Sequence, residues 1–394
     1  MSIQTKTLQT KPSALYSAFD LFPSRKGAAI HIEKFASALF EKMNGGLLYV
    51  IGNEKLSAYQ LEENIEIVRF SIPIQNYLQR AIAFRERLAN LLDECEDSLK
   101  ICHFRDIWSG AAILSRENRT YQTIFEANGF PSVELPFVYR HISPETLEKL
   151  RAQERFCLET ADKIITPSHS IKKKVLSYGI ANEKVKVIPN GANIPPPTEK
   201  PTDAPPRYLI YFGAVQAWQG VDVLLKAFVR LADMNDLFLV ICSSNHSRRS
   251  KMLRKLAEKL EVDERIFWHF GLSEEELAPW REHAVLSIAP LTECSRNIEQ
   301  GCAPLKILES MAAGVPVVAS DLPSVREIMT DREHGRLIHA DRPGELARMI
   351  RVLLQYPDLI KEMGEKAREK IKQDFLWEKS LTQLNAVYAE VVTD

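Results

Sequence analysis

The sequence predicts an α/β chain built from two parallel-sheet domains, and three observations predict it. Short apolar runs of strand length alternate with segments of helical periodicity along the chain, the pattern of a sheet covered on both faces. The 394 residues exceed one ordinary domain and suit two. A proline-dense run from Pro195 to Pro206 interrupts the alternation near the middle and reads as a semi-rigid linker. The expected division is a first domain over 1–194, the linker over 195–206, a second domain over 207–375 and a terminal helix over 376–394.

Composition narrows the functional classes. Charged residues make up 26% and nearly balance, leaving a formal net charge of −1, so no global field favours nucleic acid. Hydrophobic residues at 45% supply two packed cores. The six cysteines stand far apart with no C-x-x-C pair, which argues against a disulfide framework or a zinc site and for a reducing cytoplasm. Met1 to Pro12 is polar and lacks the apolar centre of a signal peptide, and no apolar run has the length of a membrane span.

In chain order, Ala14 to Phe19 reads as a buried strand. It ends in the turn-forming loop Asp20 to Gly27, and a helix follows through His31 and Ala36. A strand, a glycine loop and a helix bring backbone amides toward an anion, but without G-x-G-x-x-G a nicotinamide or flavin reading loses its main support. Gly27 serves either a ligand or the turn alone. Leu47–Ile51 and Ile65–Phe70 read as strands, and Gln75 to Glu96 as a helix with Ile82, Leu88, Leu91 and Leu92 on its apolar side. That basic helix suits an anionic membrane surface or, more simply, a solvated outer face.

Ile101 to Asp106 is a strand end entering a loop, and Thr120 to Phe125 a strand that ends in Glu126-Ala127-Asn128-Gly129. Ligand groups gather at the carboxyl ends of strands in open α/β sheets. His103, Arg105, Asp106, Glu126 and Asn128 are therefore candidates, the last two for sugar hydroxyls. Pro144–Asp162 reads as a helix, Ile164–Ser168 as a strand, and Val185 to Gly191 as a strand and tight turn. Beyond the linker, strands are expected at Tyr208–Gly213, Leu237–Ile241, Ile266–Phe270, Val285–Ala289 and Val315–Ala319. Helices are expected at Gly220–Leu231, at Lys251–Leu260 and from Pro343 onward, with Leu381, Leu384, Val387 and Tyr388 as a last apolar stripe.

The densest chemistry lies in Gly301 to Asp321. Pro304 suits the start of a short helix and Gly314 its left-handed end. Lys306 and Glu309 share one helix face, so a cation and a carboxylate stand beside free amides that attract phosphate.

These residues carry a family resemblance. The run Pro304-Leu305-Lys306-Ile307-Leu308-Glu309-Ser310-Met311-Ala312-Ala313-Gly314 and onward to Ser320 resembles the donor-site signature of retaining glycosyltransferases of the GT-B fold, family four (glycosyl transferases group 1), in a subgroup with a PLKxxE signature. Four segments resemble the same family in order: Lys26 to His31, Ala161 to Ser168, Val187 to Ala192, and Tyr211-Phe212-Gly213 with Trp218 to Asp222. The resemblance covers essentially the whole chain. It implies two Rossmann-like doubly wound domains facing across a cleft, the first for the acceptor and the second for a nucleotide sugar, with the terminal helix crossing back onto the first.

The resemblance implies that Glu309 accepts hydrogen bonds from ribose hydroxyls and that Lys306 and the amides of Leu305 and Ile307 face the donor phosphates. Gly27, Gly213, Gly301, Cys302 and Ala303 complete the expected donor loop set. Lys306, Glu309, Glu126 and Arg296 form the expected catalytic set, and His103, Arg105 and Asn128 the acceptor side. Three departures from the family stand out: Gly301 where a first glutamate belongs, Ala214 and Gln219 where an arginine and a lysine belong, and Glu126 and Asn128 where many members carry a histidine. Diphosphate charge would then fall to Lys306 and Arg296, with Glu299 a possible substitute near the sugar.

The expectation is a metal-independent, retaining transfer of a hexose to a hydroxyl acceptor, with a UDP or GDP sugar as co-substrate and no other cofactor. Front-side attack assisted by the donor phosphate needs no side-chain nucleophile. Competing readings are an epimerase or phosphorylase of the same fold, or a non-catalytic nucleotide-sugar-binding scaffold. The expected partners are the nucleotide sugar and its acceptor, not nucleic acid. The expected place is the cytoplasm, with the basic stretches Lys172–Lys174 and Arg248-Arg249 open to peripheral contact with an inner membrane face.

Overall fold

A computed structural model of the chain describes residues 8–24, 27–139, 141–244 and 247–392. Residues 1–7 of the polar N-terminal stretch and Arg25 and Lys26 of the glycine loop lie outside the described residues, as does the side chain of Arg249.

The chain opens with β1 (Ala14–Leu21), α1 (Gly27–Met43), β2 (Gly46–Ile51), β3 (Tyr59–Glu62), β4 (Ile65–Phe70) and α2 (Tyr77–Cys95). There follow β5 (Ile101–Phe104), α3 (Ile107–Leu114), β6 (Gln122–Glu126), α4 (Pro131–Val138), α5 (Pro144–Thr160), β7 (Lys163–Thr166), α6 (His169–Leu176) and β8 (Val185–Val187). These strands make one sheet in the order β3-β4-β2-β1-β5-β6-β7-β8. It is parallel except at one edge, where β3 pairs antiparallel with β4 through a two-residue turn at Glu63-Asn64. The expectation of a wholly parallel sheet fails there. β3 has four residues and a polar, exposed edge, too little apolar alternation to register as a strand.

The second sheet is built from β9 (Arg207–Gly213), α7 (Val221–Val229), β10 (Leu237–Ser243), α8 (Lys251–Lys259), β11 (Ile266–Phe270), α9 (Glu274–Glu282) and β12 (Leu286–Ala289). Then come α10 (Leu305–Ala312), β13 (Val317–Ser320), α11 (Pro323–Arg326), β14 (Gly335–Ile338), α12 (Pro343–Leu353), α13 (Pro357–Asp374) and α14 (Trp377–Val392). Its order is β11-β10-β9-β12-β13-β14, parallel throughout.

The chain forms two compact units. One holds Met1–Pro167, Ile171–Ile188 and Leu381–Asp394; the other holds Ser168–Ser170 and Pro189–Ser380. The proline-dense run therefore travels with the second unit, and its anchors explain why. Glu282 accepts from the backbone N–H of Thr198 at 2.7 Å, and His283 Nε2 stands 2.8 Å from the Thr198 carbonyl. The terminal helix returns to the first unit, where Leu384, Val387, Tyr388 and Val391 are buried.

Each unit has its own core. In the first, Leu15, Tyr49, Phe84, Phe104 and Phe125 pack with the helices on one sheet face. In the second, Leu209, Tyr211, Leu224, Phe228 and Ile241 do so. The buried side of α2 is Ala81, Phe84, Leu88, Leu91 and Leu92, whereas Ile82 is 46% exposed and leaves the expected apolar face. Helices α3, α4 and α6 are eight residues each and have no strong sequence pattern; α3 starts because Asp106 caps it, accepting from Trp108 and Ser109 N–H groups at 3.0 and 2.8 Å. Among the described residues no helix is long and apolar enough to cross a membrane.

Strand order locates the functional edges. Consecutive strands lead in opposite directions from β1 in the first sheet and from β9 in the second, so crevices open at the carboxyl ends of β1/β5 and β9/β12. At the second crevice Gly220 opens α7 with φ of +66°, and a Cβ there would lie 1.8 Å from the Pro290 carbonyl oxygen. Gly220→Ala should therefore destabilise the protein by more than about 1 kcal/mol, since strain adds to the clash. An unchanged denaturation midpoint would contradict this geometry.

Candidate active site

The second crevice assembles around Lys306. Helix α10 begins after Pro304, whose side chain offers no cap, so the first-turn amides have no side-chain acceptor. Ile307 N–H is already bonded to the Pro304 carbonyl at 3.1 Å, and its side chain is fully buried in the core. The expected donor contact through Ile307 is thereby corrected to a packing role, leaving Leu305 and Lys306 at the helix mouth. Cys302 is likewise buried, its Sγ 3.0 Å from Ser324 Oγ, so it can present only backbone.

The Lys306 ammonium is held inside the unit by neutral oxygens. Nζ donates to Tyr211 Oη at 3.0 Å and to Gln219 Oε1 at 2.5 Å, and lies 4.1 Å from the centre of the Tyr211 ring. Tyr211 in turn donates to the Ala214 carbonyl. Burial lowers the Lys306 pKa to about 7. Gly213, at the end of β9 with φ of +108°, lies directly beside it: a Cβ there would stand 3.6 Å from Lys306 Cε. Arg296 lies in a π-helical turn and stacks 5.2 Å over Trp218, the neighbour of Gln219, with its NH1 3.2 Å from Asn297 Oδ1.

Glu309 sits one turn along α10 with its side chain 22% exposed. Burial raises its pKa, and Arg281 opposes that from 4.0 Å. Arg281 itself is buried, stacked 5.6 Å over Phe212 and paired with Glu274 at 2.5 Å. Gly301 explains its own identity: its backbone takes φ 88° and ψ 174°, a region in which a glutamate would be strained. Glu299 is exposed in the preceding turn.

The first crevice carries a different arrangement. Glu126 ends β6, is 1% exposed, and has both oxygens occupied. Oε1 meets Arg105 Nε at 2.9 Å, His31 Nδ1 at 3.2 Å and the Asn128 amide; Oε2 meets Tyr16 Oη at 2.9 Å and His103 Nε2 at 3.2 Å. Burial opposes its charge, but Arg105 and His31 outweigh burial and hold the carboxyl well below the usual carboxylate range. Glu126 is a hub, not an exposed catalytic carboxylate: Tyr16 and Asn128 donate to its two oxygens, and Arg105, His31 and His103 surround them at ion-pair distance.

His103 corrects in the same way. It is fully buried, with Nε2 toward Glu126 and Nδ1 2.7 Å from Tyr388 Oη on α14, so it offers no surface to an acceptor. Burial holds its pKa below the ordinary histidine value, leaving it neutral. Asn128 is half-buried and the Arg105 side chain is buried, 8% exposed; Arg105 NH1 also donates to the Ala28 carbonyl at 3.0 Å, just past Gly27 at the head of α1. Asp106 joins two elements, its Oδ2 accepting from Phe19 N–H at 2.7 Å while Oδ1 caps α3.

The structure thus brings Lys306, Glu309, Arg296, Gly213, Gly301 and the Leu305 amide into one unit's crevice. It brings Glu126, His103, Arg105, Asn128 and Gly27 into the other's. Sequence reading missed Tyr211, Arg281, Tyr16, His31 and Tyr388 as site members. A buried phenol at Tyr211, inside an apolar strand, is a signal that some partner must exist. Arg281 gives none, because its partner Glu309 lies on a distant segment.

Comparison with known proteins accords with this division. Residues 25–194 match the model of Glycosyltransferase Family 4, and residues 197–370 that of Glycosyl transferases group 1. A D-inositol 3-phosphate glycosyltransferase of Streptomyces bingchenggensis is 27% identical over 271 residues, 64% of this chain and 57% of that protein. An MMP alpha-(1->4)-mannosyltransferase of Mycolicibacterium hassiacum is 25% identical over 241 residues, 61% of this chain and 56% of that protein. The chain thus spans less than two thirds of these curated relatives. Among solved structures, sucrose-phosphate synthase from Thermosynechococcus elongatus superposes with a TM-score of 0.79 at 17% identity, over 97% of this chain and 99% of that one. Anabaena Alr3699/HepE, crystallised with UDP and glucose, superposes at 0.72 and 16% identity, over 97% of this chain and all (100%) of that one. At such identities the likeness establishes the fold, which is GT-B.

Removing the hub charge tests the first crevice. Glu126→Gln leaves the buried Arg105 guanidinium without its counter-ion and should cost about 3–5 kcal/mol of stability in denaturant titration. A loss under about 1 kcal/mol would show that the carboxylate is not what holds Arg105.

Proposed function

The chain belongs to the glycosyltransferases, a Family 4 domain followed by a group 1 domain, and from that premise we propose that it is a retaining, metal-independent enzyme that transfers a hexose from a nucleotide diphosphate sugar to a hydroxyl acceptor. One observation carries the reading: the Lys306 ammonium waits in a crevice at a helix mouth, hydrogen-bonded only to the neutral oxygens of Tyr211 and Gln219. A dianionic diphosphate is the group such a site lacks. The UDP in the Alr3699/HepE structure supports a nucleoside diphosphate as the donor's leaving group, with UDP or GDP the favoured bases.

In the proposed reaction the bond between the sugar's anomeric carbon and the diphosphate oxygen breaks as the acceptor oxygen attacks the same face. The acceptor's proton passes to the departing diphosphate, so no side-chain nucleophile is used. Negative charge grows on that leaving oxygen, where Lys306 and the amides of Leu305 and Lys306 stabilise it, with Arg296 adding positive potential nearby. This cation does the work a metal ion would otherwise do. Glu309, braced by Arg281, accepts from the ribose hydroxyls. The free cysteines, five of them buried, suit a reducing compartment, and we place the reaction in the cytoplasm.

Lys306→Met should lower kcat by about 10²–10³-fold while changing the UDP-glucose KM far less, because the interaction strengthens as charge develops. A parent protein that binds UDP-glucose in calorimetry but neither hydrolyses nor transfers it would instead favour the binding-scaffold reading. Consumption of the donor without any acceptor and without hydrolysis would favour an epimerase.

Donor affinity should also depend on pH. Free Lys306 titrates near 7, and a bound diphosphate raises that value, so binding takes up a proton. Affinity is then greatest below pH 7 and falls as pH rises through that value, by up to about tenfold per unit until the pKa of the complex is reached. A calorimetric affinity that is flat between about pH 6 and 9 would remove Lys306 from the phosphate contact.

A further inference from the structure

The first unit has a surface feature that neither crevice chemistry explains. Phe137, Val138 and Tyr139, consecutive at the end of α4, are 37%, 48% and 41% exposed. They lie beside a cluster of aromatic rings. Tyr139 stands 6.0 Å from Tyr77, Tyr77 stands 6.2 Å from Trp108, and Phe19 lies within 5.5 Å of Tyr77 and 6.4 Å of Trp108. Each ring follows a different strand's carboxyl end: Phe19 on β1, Tyr77 at the start of α2 after β4, Trp108 in α3 after β5, and Tyr139 beyond β6. The rings therefore converge on the edge where ligands meet an open α/β sheet.

The cluster is built rather than incidental. Asp106 fixes the backbone beneath two of the rings, accepting from the N–H groups of Phe19 at 2.7 Å and Trp108 at 3.0 Å. The Trp108 ring meets the Tyr77 ring edge-on, at 72°. Arg80 lies 5.8 Å over Phe19 and 5.9 Å over Tyr77, with NH1 tied to the Ile74 carbonyl at 3.2 Å, and supplies a cation on one side. Asp20, next to Phe19, has a side chain 47% exposed.

We propose that the exposed ring of Tyr139, with Tyr77 tilted 46° to it and Trp108 edge-on behind Tyr77 at 72°, forms an aromatic platform on which a pyranose ring of the acceptor stacks, so that the acceptor is a carbohydrate. A pyranose has a face of C–H bonds carrying partial positive charge, and an aromatic face is negative. Rings in this number, with Asp20 and Arg80 at the rim for hydroxyl groups, suit that alternation of apolar face and polar edge. An acyl chain would be met by aliphatic side chains instead, and the exposed run Phe137-Val138-Tyr139 holds one aliphatic residue between two aromatic ones. The proposal rests on the transferase reading for the word acceptor, and its test is independent of turnover.

Saturation-transfer NMR of the full chain with methyl glucoside, methyl galactoside, methyl mannoside, maltose, lactose and cellobiose should show transfer from the protein to the ring C–H protons of at least one glycoside. Tyr139→Ala should weaken that glycoside's affinity by about tenfold or more, while Tyr139→Phe keeps it within about twofold. The UDP-glucose affinity of Tyr139→Ala, measured by calorimetry, should equal the parent's. Absence of transfer to every glycoside, or equal transfer in parent and Tyr139→Ala, overturns the platform. So does binding to phosphatidylglycerol–phosphatidylcholine vesicles that Tyr139→Ala abolishes without changing any glycoside signal. A parent that fails to bind UDP-glucose overturns the donor assignment instead and leaves the glycoside signals as evidence for the platform.

Discussion

A lysine ammonium inside a protein needs partners, and the second unit gives Lys306 two kinds: neutral oxygens for its hydrogen bonds, and the Glu309 carboxylate on the next turn of α10, which favours its charge. Tyr211 and Gln219 satisfy its hydrogen bonds without neutralising it. The cost of that charge appears in its pKa, which burial brings down to about 7. The backbone around it follows from the same need. Gly213 gives the end of β9 its φ of +108° beside the lysine stem, and Gly220 lets the next helix start against Pro290. Leu305 and Lys306 begin a helix with no side-chain cap, so its dipole points at the same space. Remove the lysine, and these features describe an ordinary turn; with it, they gather a buried cation and free helix amides about one space, on which the proposed anion contact rests.

The departures from the family pattern also become physical once Lys306 is placed. A lysine at position 219 would set a second ammonium against Lys306 Nζ, where Gln219 now presents an acceptor at 2.5 Å. Like charges at that separation would repel strongly. The glutamine therefore orients the remaining cation. Gly301 departs for a separate reason, the backbone region its φ of 88° demands. One substitution is electrostatic and the other conformational, and neither removes the helix mouth itself.

Much of the fold was legible because periodicity reports burial. Strands such as β4 and β11 were read to the residue, since fully or half-buried strands repeat their apolar positions locally. The elements that escaped, β3, β14 and the short helices α3, α4, α6, α9 and α11, are short enough that capping and tertiary contacts decide them. Lys306, Glu309 and Gly213 could be singled out because they sit on two short stretches. In the first crevice Glu126, His103, Arg105 and Asn128 were singled out too, but not their arrangement: whether a carboxylate at a strand end faces a substrate or a ring of donors depends on how Tyr16, His31, His103 and Arg105 meet it. These converge from separate segments, and local sequence carries no record of that convergence.

The Glu126 hub has a consequence for the first unit as a whole. Glu126 holds His103, and His103 Nδ1 takes the hydroxyl of Tyr388 from the terminal helix at 2.7 Å. Because burial keeps His103 neutral, it carries one ring proton. The same carboxylate holds Arg105, whose NH1 reaches the head of α1 at Ala28. A single buried charge thus gathers the glycine loop's helix, two strand ends and, through His103, the last helix of the chain around one point. Groups clustered in this way depend on one another. The folded position of α14 and the geometry of this strand-end edge are therefore linked, and the last helix is part of the first crevice even though it lies nearly two hundred residues away in sequence from the unit's other elements.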